Sequence, residues 1–433
     1  MEYLKKILFV AVAAATWSPI HAQTCLPGQV NTAFGPSGST GYAQASPLYT
    51  DQTGNNFSMP EGFAIDSSDN VYFPIIASAN SATALLGVVR FTKGGTIDRT
   101  FGGFGYVIPA NQSGSGNPSS VAVDAHDRLV YVEALGTEFR ISRFLSTGVP
   151  DSAFGSSGSA SVSVSNMLSP LIGVTTQTDG KLILATSARN GSSSSRQPLI
   201  VRLNEDGSLD SGFGSNGLSF IAPAGFTESG RASDAAVTPD GRIVVGGTLF
   251  PAGVAQPFAA RLLTDGSPDP TFGGAGISAP NFALETYGRK LALQGDGKVL
   301  LGGSAVDALG NTMMSAVRVN ADGSLDTQFG GNGQALSQSG PAAFAIALQG
   351  NGRILLAGID FSSSSATVMR LTSKGQIDAT FGTSGVAELL PPTTTFSTAG
   401  GIAVTSGGKI ISRMFVGYST PEYATHLVFS LCH

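Results

Sequence analysis

Seven segments of the chain share one pattern of apolar and polar positions. Each has a short apolar run, a tight polar turn and a second apolar run, and the clearest copies are residues 236–246, 291–302 and 346–358. An Asp-Gly or Asn-Gly turn between β-branched and apolar runs is a strong signal of a hairpin, because Gly and Asn adopt positive φ easily. No apolar period of 3.6 residues is sustained beyond the N-terminal stretch, so the pattern predicts an all-β protein.

A second motif shows that the hairpins belong to repeats. The dipeptide Phe-Gly begins at Phe34, Phe101, Phe154, Phe213, Phe272, Phe329 and Phe381. In the unit that contains Phe272, we place strands at 235–238, 242–248 and 258–263, and a fourth strand after Phe-Gly. Repeats of roughly 40 to 50 residues with four strands are typical of propeller blades. The chain is therefore predicted to be a seven-bladed β-propeller with four antiparallel strands in each blade.

The motif Asp-Gly-Ser-Leu-Asp-x-x-Phe-Gly-x-x-Gly, complete at 206–217, resembles the delta-60 repeat family of exported bacterial proteins. The order of strands is similar to that of NHL-type propellers. The resemblance covers residues 25–431 and is weakest at 139–158. It implies a propeller fold and no established activity. The approximate blades that we predict are 60–108, 118–165, 170–222, 232–279, 288–338, 342–391 and 399–432.

The N-terminus has the features of a secretory signal. Lys5 and Lys6 precede an apolar stretch at 7–15, and the small residue Ala22 precedes Gln23. We predict a signal peptide at 1–22 and a mature propeller at 23–433, located in the periplasm or outside the cell. The apolar stretch is shorter than the roughly 20 residues that span a bilayer, so no membrane insertion is expected after signal removal. A lipoprotein acylated at Cys25 is the alternative, although its lipobox is poor.

The two ends of the chain are predicted to close the ring. In an NHL-like order the strand after Phe-Gly is outermost, so the N-terminal copy lacks three strands, and these remain at 401–404, 410–417 and 425–431. Residues 25–48 then supply the outer strand of the last blade and remove a free sheet edge. Repeat alignment places both Cys25 and Cys432 at the position of Asn204, which predicts a Cys25–Cys432 disulfide in an oxidising compartment. Two free thiols or an intermolecular bridge are the alternatives.

Composition narrows the possible partners. Charged residues make up 12% of the chain, against about 25% in typical globular proteins, and 42% of residues are hydrophobic. The net charge is −5 and no run of Lys and Arg occurs, so neither nucleic acid nor an anionic membrane is an expected partner. We expect a monomer.

Six units carry an Arg followed eight residues later by an Asp. They are Arg90 and Asp98, Arg143 and Asp151, Arg202 and Asp210, Arg261 and Asp269, Arg318 and Asp326, and Arg370 and Asp378. In the split seventh unit, Ser430 and Asn31 replace both charges together. A buried pair tolerates the loss of both members better than the loss of one, so we interpret the motif as a structural ion pair.

No catalytic, cofactor or metal site is predicted. Residues 204–210 resemble a calcium loop, but Lys93 and Lys374 occupy the position of Asp206 in other units, where a cation would be repelled. With 4 His and 2 Cys in the chain, no Ser/His/Asp arrangement or metal cluster can be assembled. The Gly-rich piece at 330–333 precedes no helix on which a pyrophosphate could dock.

A binding face is predicted where the connections are long and irregular. These connections are 46–60, 187–197, 223–233, 249–257, 280–289 and 305–314. Binding residues in scaffold proteins are often located on such loops, so we expect a protein, peptide or glycan to bind there and at the channel mouth. Candidate ligand-face residues are Glu61, Arg231, Asp234, Arg289 and Lys290, with solvated loop charges as the alternative. Two alternative functions remain. One is a lactonase-like or lyase-like enzyme with a metal at the channel, and the other is a structural surface protein.

Overall fold

The chain forms seven four-stranded antiparallel sheets, arranged as the blades of a closed β-propeller. The computed structural model describes residues 26–27, 29–31, 34, 42–44, 62–80, 83–110, 119–167, 173–191, 195–221, 229–390, 394–418 and 424–432. The helical content of these residues is one 3-10 turn, Pro251–Gly253. None of the described helical segments has the length and hydropathy to traverse a bilayer. The predicted all-β, seven-bladed propeller is confirmed.

A short strand, β1 (Tyr42–Gln44), precedes six blades that each use one continuous stretch of chain. In each blade the strands run in chain order from the inner strand at the ring axis to the outer strand. Blade 1 contains β2 (Ala64–Ile65), β3 (Val71–Asn80), β4 (Thr83–Phe91) and β5 (Tyr106–Val107). Blade 2 contains β6 (Ser119–Val123), β7 (Leu129–Leu135), β8 (Glu138–Phe144) and β9 (Ser159–Ser163). Blade 3 contains β10 (Gly173–Thr176), β11 (Leu182–Arg189), β12 (Arg196–Leu203) and β13 (Leu218–Phe220).

Blades 4 to 6 repeat this order. Blade 4 contains β14 (Ser229–Val237), β15 (Ile243–Phe250), β16 (Gln256–Leu262) and β17 (Ile277–Ser278). Blade 5 contains β18 (Glu285–Leu293), β19 (Val299–Val306), β20 (Thr312–Val319) and β21 (Gln334–Leu336). Blade 6 contains β22 (Pro341–Leu348), β23 (Ile354–Asp360), β24 (Ser365–Leu371) and β25 (Val386–Leu389). Every residue of β23 and β24 is buried, because the adjacent blades cover both faces of the sheet.

Blade 7 is built from both ends of the chain, as predicted. It contains β26 (Thr394–Val404), β27 (Ile410–Tyr418) and β28 (Ala424–Leu431), and β1 is its outer strand. Tyr42 pairs with Phe429 in an antiparallel register. Nearer the N-terminus, the Asn31 N–H donates to the Ser430 carbonyl at 2.8 Å, and the Cys432 N–H donates to the Gln29 carbonyl at 3.0 Å. The N-terminal segment is thus paired with the last strand at two separate points.

The phenylalanine of each Phe-Gly dipeptide is buried between neighbouring blades. Phe154 of blade 2 packs against Gly207 of the turn in blade 3, where an added Cβ would lie 2.9 Å from the ring. Gly207 has a φ of 88°, so the position requires glycine for its conformation and for the space that the ring occupies. Phe34 is 1% exposed and packs against Gly95 of blade 1 in the same way. The phenylalanines are therefore packing residues of the blade interfaces.

The six Arg–Asp pairs are structural ion pairs, which confirms the interpretation from the sequence. In blade 3 the Arg202 Nε lies 2.7 Å from Asp210 Oδ2, and the guanidinium lies over the Phe213 ring, 4.2 Å from its centroid. In blades 1 to 5 the arginine also donates to a backbone carbonyl in the next blade, as Arg143 does to Glu205 at 2.6 Å. In these five blades the arginine therefore joins its own aspartate and phenylalanine to the turn of a neighbouring blade.

In blade 7 the Arg–Asp pair is absent, and Lys409 takes over its role at the blade interface. Lys409 extends from the hairpin between β26 and β27, and its Nζ lies 5.7 Å from the centroid of the Phe34 ring. The same Nζ donates to the Lys93 carbonyl of blade 1 at 3.3 Å. At the equivalent hairpin position, Lys181 and Lys298 instead bind the aspartates of their own blades. Lys409 thus occupies the place of the missing arginine and still joins two blades.

Candidate functional site

The inner strands of four successive blades carry a β-bulge at equivalent positions near the loop-bearing face. The pairing register shifts between Ala232 and Asp234, Gly288 and Lys290, Ala343 and Ala345, and Ala399 and Gly401. The extra residues are Ser233, Arg289, Phe344 and Gly400. Bulges redirect side chains and occur often next to functional sites. Because these four residues differ in chemistry, the bulges give a nearly symmetric ring an asymmetric channel wall.

A cavity of about 330 Å³ lies on the ring axis and is lined by residues from all seven blades. Part of its wall consists of apolar residues at equivalent inner-strand positions, Phe63, Val121, Val174, Leu291, Ile346 and Ile402. Four of the lining residues are cations, Arg231, Arg289, Lys290 and Arg413, and Asp234 is the one carboxylate among the described lining residues. The cavity therefore combines an apolar ring with an excess of positive charge.

Asp234 neutralises one of these cations. The Lys290 Nζ lies 3.6 Å from Asp234 Oδ1, and the Leu291 N–H donates to the other carboxylate oxygen at 3.0 Å. Asp234 belongs to blade 4 and its two partners belong to blade 5, so the pair also joins neighbouring blades. Among the described residues, Asp234 thus forms its ion pair with Lys290 and not with Arg231 or Arg289.

Two of the arginines, Arg231 and Arg289, lie on the inner strands β14 and β18. Their guanidinium groups lie over aromatic rings, Arg231 at 5.2 Å from the Phe250 centroid and Arg289 at 5.2 Å from the Phe344 centroid. Burial lowers the pKa of Arg231, and the positive charge of Arg289 lowers it further, whereas Tyr287 opposes these effects. The Nε of Arg289 is buried and has no hydrogen-bond partner among the described residues. Like charges are thus held near each other in a partly desolvated wall.

Positive charge also extends outward from Arg231 towards blade 3. Burial lowers the pKa of Arg196 on β12, and the charges of Arg231 and Arg189 lower it further. A carboxylate lies near the mouth as well, since the Tyr287 hydroxyl donates to Glu285 Oε2 at 3.2 Å. The charged groups described around the cavity and its mouth therefore lie on blades 3 to 5, together with Arg413 of blade 7.

Arg413 reaches the cavity from the second strand of its blade. It pairs with Gly401 across β26 and β27, its side chain lines the cavity, and the residue is 2% exposed. A Cβ added at Gly400 would lie 2.5 Å from Arg413 Nη2, so this glycine makes room for the guanidinium. In the preceding blades the equivalent second-strand residues are the small Gly246, Gly302 and Ala357. Sequence analysis missed Arg413, although an arginine at a position of small residues, opposite a Gly-Gly pair, was the available signal.

The structure places four of the five predicted ligand-face residues at this cavity. Arg231, Asp234, Arg289 and Lys290 all line it, whereas Glu61 lies outside the described residues. Cys25 also lies outside them, so its disulfide with Cys432 stays a prediction.

A metal site is not assembled by the described residues. No group of three or more His, Cys, Asp or Glu side chains in the described ranges could hold a metal ion. Asp206, in the segment that resembles a calcium loop, accepts hydrogen bonds from the Ser208 N–H at 2.9 Å and the Ser208 hydroxyl at 2.6 Å. Its carboxylate therefore stabilises its own turn, as expected for this residue type.

Exposed apolar side chains project from connections of four or five residues on the same face as the cavity mouth. Val254 is 42% exposed, Leu309 is 87% exposed and Phe361 is 57% exposed. They lie between the second and third strands of blades 4, 5 and 6, next to the ends at which the inner strands begin. The face that carries the cavity mouth thus also presents isolated apolar contacts on three successive blades.

Four segments of the chain match one family model. The family is described as "Domain of unknown function (DUF5122) beta-propeller", and the matched segments are residues 177–213, 238–272, 294–329 and 349–381. These segments begin at the hairpin after an inner strand and end at a Phe-Gly phenylalanine. A comparison with curated proteins gives no match. The protein is thus a seven-bladed propeller with repeats of the kind that this model describes.

Several solved structures are similar to the chain at low sequence identity. An ulvan lyase of a polysaccharide lyase family is 10% identical, with 84% of this chain and 90% of that chain covered and a TM-score of 0.47. A protein from Lactobacillus plantarum is 14% identical, with 76% and 88% covered and a TM-score of 0.42. The calcium-binding protein regucalcin from Agrobacterium tumefaciens is 10% identical, with 71% and 88% covered and a TM-score of 0.38. These low similarities carry no information about activity.

Proposed function

We propose that this protein is an exported, non-catalytic binding propeller of the delta-60 repeat type. It recognises a protein, peptide or glycan through the face that carries the long loops and the cavity mouth. The family model supports the repeat type, because each of its four matches lies within one repeat and ends at the phenylalanine of its Phe-Gly dipeptide. The pairing of the two chain ends supports a Cys25–Cys432 bridge, because the Cys432 N–H donates to the carbonyl of Gln29, which is four residues after Cys25. A disulfide would in turn be consistent with export to an oxidising compartment.

The observation that carries the binding proposal is the contrast between the repeated and the unrepeated polar residues. The Arg–Asp pairs recur in six blades and serve the blade interfaces, so they are explained by the fold. Arg231, Arg289 and Arg413 have no counterparts at the equivalent positions of the other described inner and second strands. Ligand-binding sites in repeat proteins are expected to use residues that are not repeated from unit to unit and that line a concave cavity, as these three arginines do.

Binding through this face is tested with the purified mature protein on glycan and peptide arrays, followed by titration of the strongest ligand. The variant Leu309→Ser with Phe361→Ser removes two exposed apolar contacts, and we expect the affinity to fall by about tenfold with unchanged stability. Val149→Ser, at a 55% exposed position in a tight turn of the opposite face, is the matched control and should bind like the wild type.

Two results would contradict the proposal. Equal binding by the loop variant and the control would place the site elsewhere. A metal-dependent turnover of the ligand would make the protein an enzyme of the lactonase or lyase kind.

A further inference from the structure

We infer that two serine–aspartate contacts fasten blade 1 to its neighbours at the axial end of the ring and complete the closure of the ring there. The first contact joins Ser406 of blade 7 to Asp69 of blade 1, and the second joins Ser67 of blade 1 to Asp127 of blade 2. Each residue lies in the hairpin between the first and second strands of its blade, on the face opposite the long loops. We call these contacts the 7/1 clasp and the 1/2 clasp. Neither takes part in the proposed binding function.

Both clasps have the same hydrogen-bond geometry. The Ser406 N–H donates to Asp69 Oδ1 at 2.8 Å, and the Ser406 hydroxyl donates to Asp69 Oδ2 at 2.7 Å. The Ser67 N–H donates to Asp127 Oδ1 at 2.9 Å, and the Ser67 hydroxyl donates to Asp127 Oδ2 at 2.6 Å. A charged acceptor makes stronger hydrogen bonds than a neutral one, and two parallel bonds fix its orientation. Each carboxylate therefore holds the hairpin of one blade against the hairpin of the next.

The backbone at the two aspartates favours glycine. In all seven hairpins the N–H at this position donates to the carbonyl three residues earlier, and φ is positive. The value of φ is 64° at Asp69 and 57° at Asp127. The other five blades have glycine there with φ between 80° and 83°, at Gly180, Gly241, Gly297, Gly352 and Gly408. A side chain at positive φ is less favourable than glycine. The conformation of the turn thus gives no reason for aspartate, whereas the contact with the preceding blade does.

The serine and the aspartate occur as a matched pair. At the position of Ser67 and Ser406, the other five hairpins have Ala125, Thr178, Pro239, Gly295 and Gly350. Aspartate is present in the following blade at the two interfaces that have the serine, and glycine is present at the five interfaces that lack it. Independent turn preferences would not place the two residues at the same interfaces. We therefore attribute them to one shared role between blades.

The 7/1 clasp lies where the ring closes. Strands β26 to β28 have no direct chain connection to blade 1, which follows β1 in the sequence. Ser430 occupies the arginine position of blade 7, so the hydrogen bond that the arginines of blades 1 to 5 donate to the next blade is absent at this interface. Through Asp69, the hairpin between β26 and β27 is joined directly to blade 1 near the axis. This contact adds to the pairing of β1 with β28 at the outer edge.

The 1/2 clasp secures the other side of blade 1. The inner strand of this blade, Ala64–Ile65, is the shortest inner strand among the described residues. A strand of two residues pairs with its neighbour over a short length, so it holds the axial end of the blade weakly by itself. Asp69 and Ser67 lie in the hairpin that directly follows this strand. Hydrogen bonds from both neighbouring blades thus support the part of blade 1 that has the least pairing of its own.

Asp69→Gly in the full mature chain tests the 7/1 clasp, with Asp179→Gly as the matched control. Asp179 lies in the hairpin of blade 3 without a positive φ, and its carboxylate accepts a hydrogen bond from the Lys181 N–H of the same hairpin. Both changes make the unfolded chain more flexible, but only Asp69→Gly relieves a positive φ. A role confined to the turn therefore predicts a smaller drop in the unfolding midpoint for Asp69→Gly than for the control. The clasp predicts a larger one.

Amide hydrogen exchange, followed by mass spectrometry, locates the effect. We expect exchange at residues 403–409, which contain Ser406, to accelerate by about three- to tenfold in Asp69→Gly and to stay at the wild-type rate in Asp179→Gly. Because the clasp fastens the C-terminal strands, exchange in β27 and β28 should accelerate as well, while blade 4 keeps its wild-type rate. A smaller drop in the midpoint than in the control, or wild-type exchange at residues 403–409, would overturn the inference. Acceleration confined to the hairpin would refute the role in ring closure.

The interface between blades 5 and 6 allows a clasp to be built anew. Gly295 and Gly352 occupy the serine and aspartate positions there. An added Cβ would meet no atom within 4 Å at Gly295 and would lie 3.4 Å from the Ser373 Cβ at Gly352, so both side chains fit. We expect Gly352→Asp alone to lower the unfolding midpoint, because φ is 80°. Gly295→Ser should then raise the midpoint in that background and not in the wild type. Equal effects of Gly295→Ser in the two backgrounds would show that the pair does not interact, and the inference would fail.

Discussion

Replacing Asp378 with asparagine tests whether the repeated ion pairs stabilise the ring through charge. The carboxylate lies 2.7 Å from Arg353 Nε, 2.9 Å from Arg370 Nε and 2.6 Å from the Thr380 hydroxyl. Burial raises the pKa of Asp378, but the hydrogen bonds from Thr380 and Arg353 and the charge of Arg370 outweigh it and lower the pKa from 3.8 to about 2. The neutral asparagine side chain would leave the two arginines without their anion.

The size and the pH dependence of the effect follow from this pKa. The lowering of the pKa from 3.8 to about 2 corresponds to about 2 kcal/mol of stability at pH 7. Because the pKa is lowered in the folded protein, this stability is fully present above the unfolded value near 4 and is lost as the pH falls towards 2. The linkage relation leaves roughly half of it at pH 3.

The assay is urea denaturation followed by far-ultraviolet circular dichroism, at pH 7 and at pH 3. We expect Asp378→Asn to lower the free energy of unfolding by about 2 kcal/mol at pH 7 and by about half as much at pH 3. Glu388→Gln removes an exposed carboxylate of the same blade and should change the free energy by less than about 0.5 kcal/mol at both pH values. A difference between wild type and Asp378→Asn that is the same at both pH values would refute the electrostatic reasoning.

Three further predictions concern the blade interfaces and the closure of the ring. Arg261→Met or Asp269→Leu alone should lower the free energy of unfolding, measured by urea denaturation, by about 3–5 kcal/mol. The double variant should lower it by clearly less than the sum of the two single effects. Additive effects would mean that the two side chains do not interact. Lys409→Met should lower the free energy of unfolding by about 1 kcal/mol, through loss of a cation–π contact and a hydrogen bond, and unchanged stability would show that the lysine does not replace the missing pair. Reduction should destabilise the wild type by up to roughly 6 kcal/mol, the chain-entropy value for a loop of about 400 residues, and should leave Cys25→Ser with Cys432→Ser unaffected. Two titratable thiols in the unreduced, denatured protein would disprove the bridge.

The repeats made the architecture predictable from the sequence. Each hairpin is encoded by a few neighbouring residues, such as Asp206 and Gly207, whose conformational preferences act locally. The ring closure could be predicted because the first unit begins at its outer strand and the last unit lacks one. The structural role of the ion pairs followed from Ser430 and Asn31, which lose both charges together.

The cavity was predictable only in part, because its geometry depends on register and on bulges. Arg231 and Arg289 could be placed near the mouth because they enter inner strands. The reach of Arg413 depends on the pairing of β27 with β26 and on the space above Gly400, neither of which a single segment of sequence encodes. The pairing of Lys290 with Asp234 likewise joins two blades whose relative position is a tertiary property.

The closure of blade 7 by β1 determines the order in which the protein can assemble. Blades 1 to 6 each come from one continuous stretch, so each can form as soon as its outer strand has been synthesised. β1 is made before the other described strands and its partner β28 after them, so β1 cannot pair within its own chain until β28 has been synthesised. In that interval the N-terminal strand of one molecule can pair with β28 of another, which would link two copies through exchanged strands. Rapid intramolecular pairing at this single seam is therefore what keeps newly made rings separate from one another.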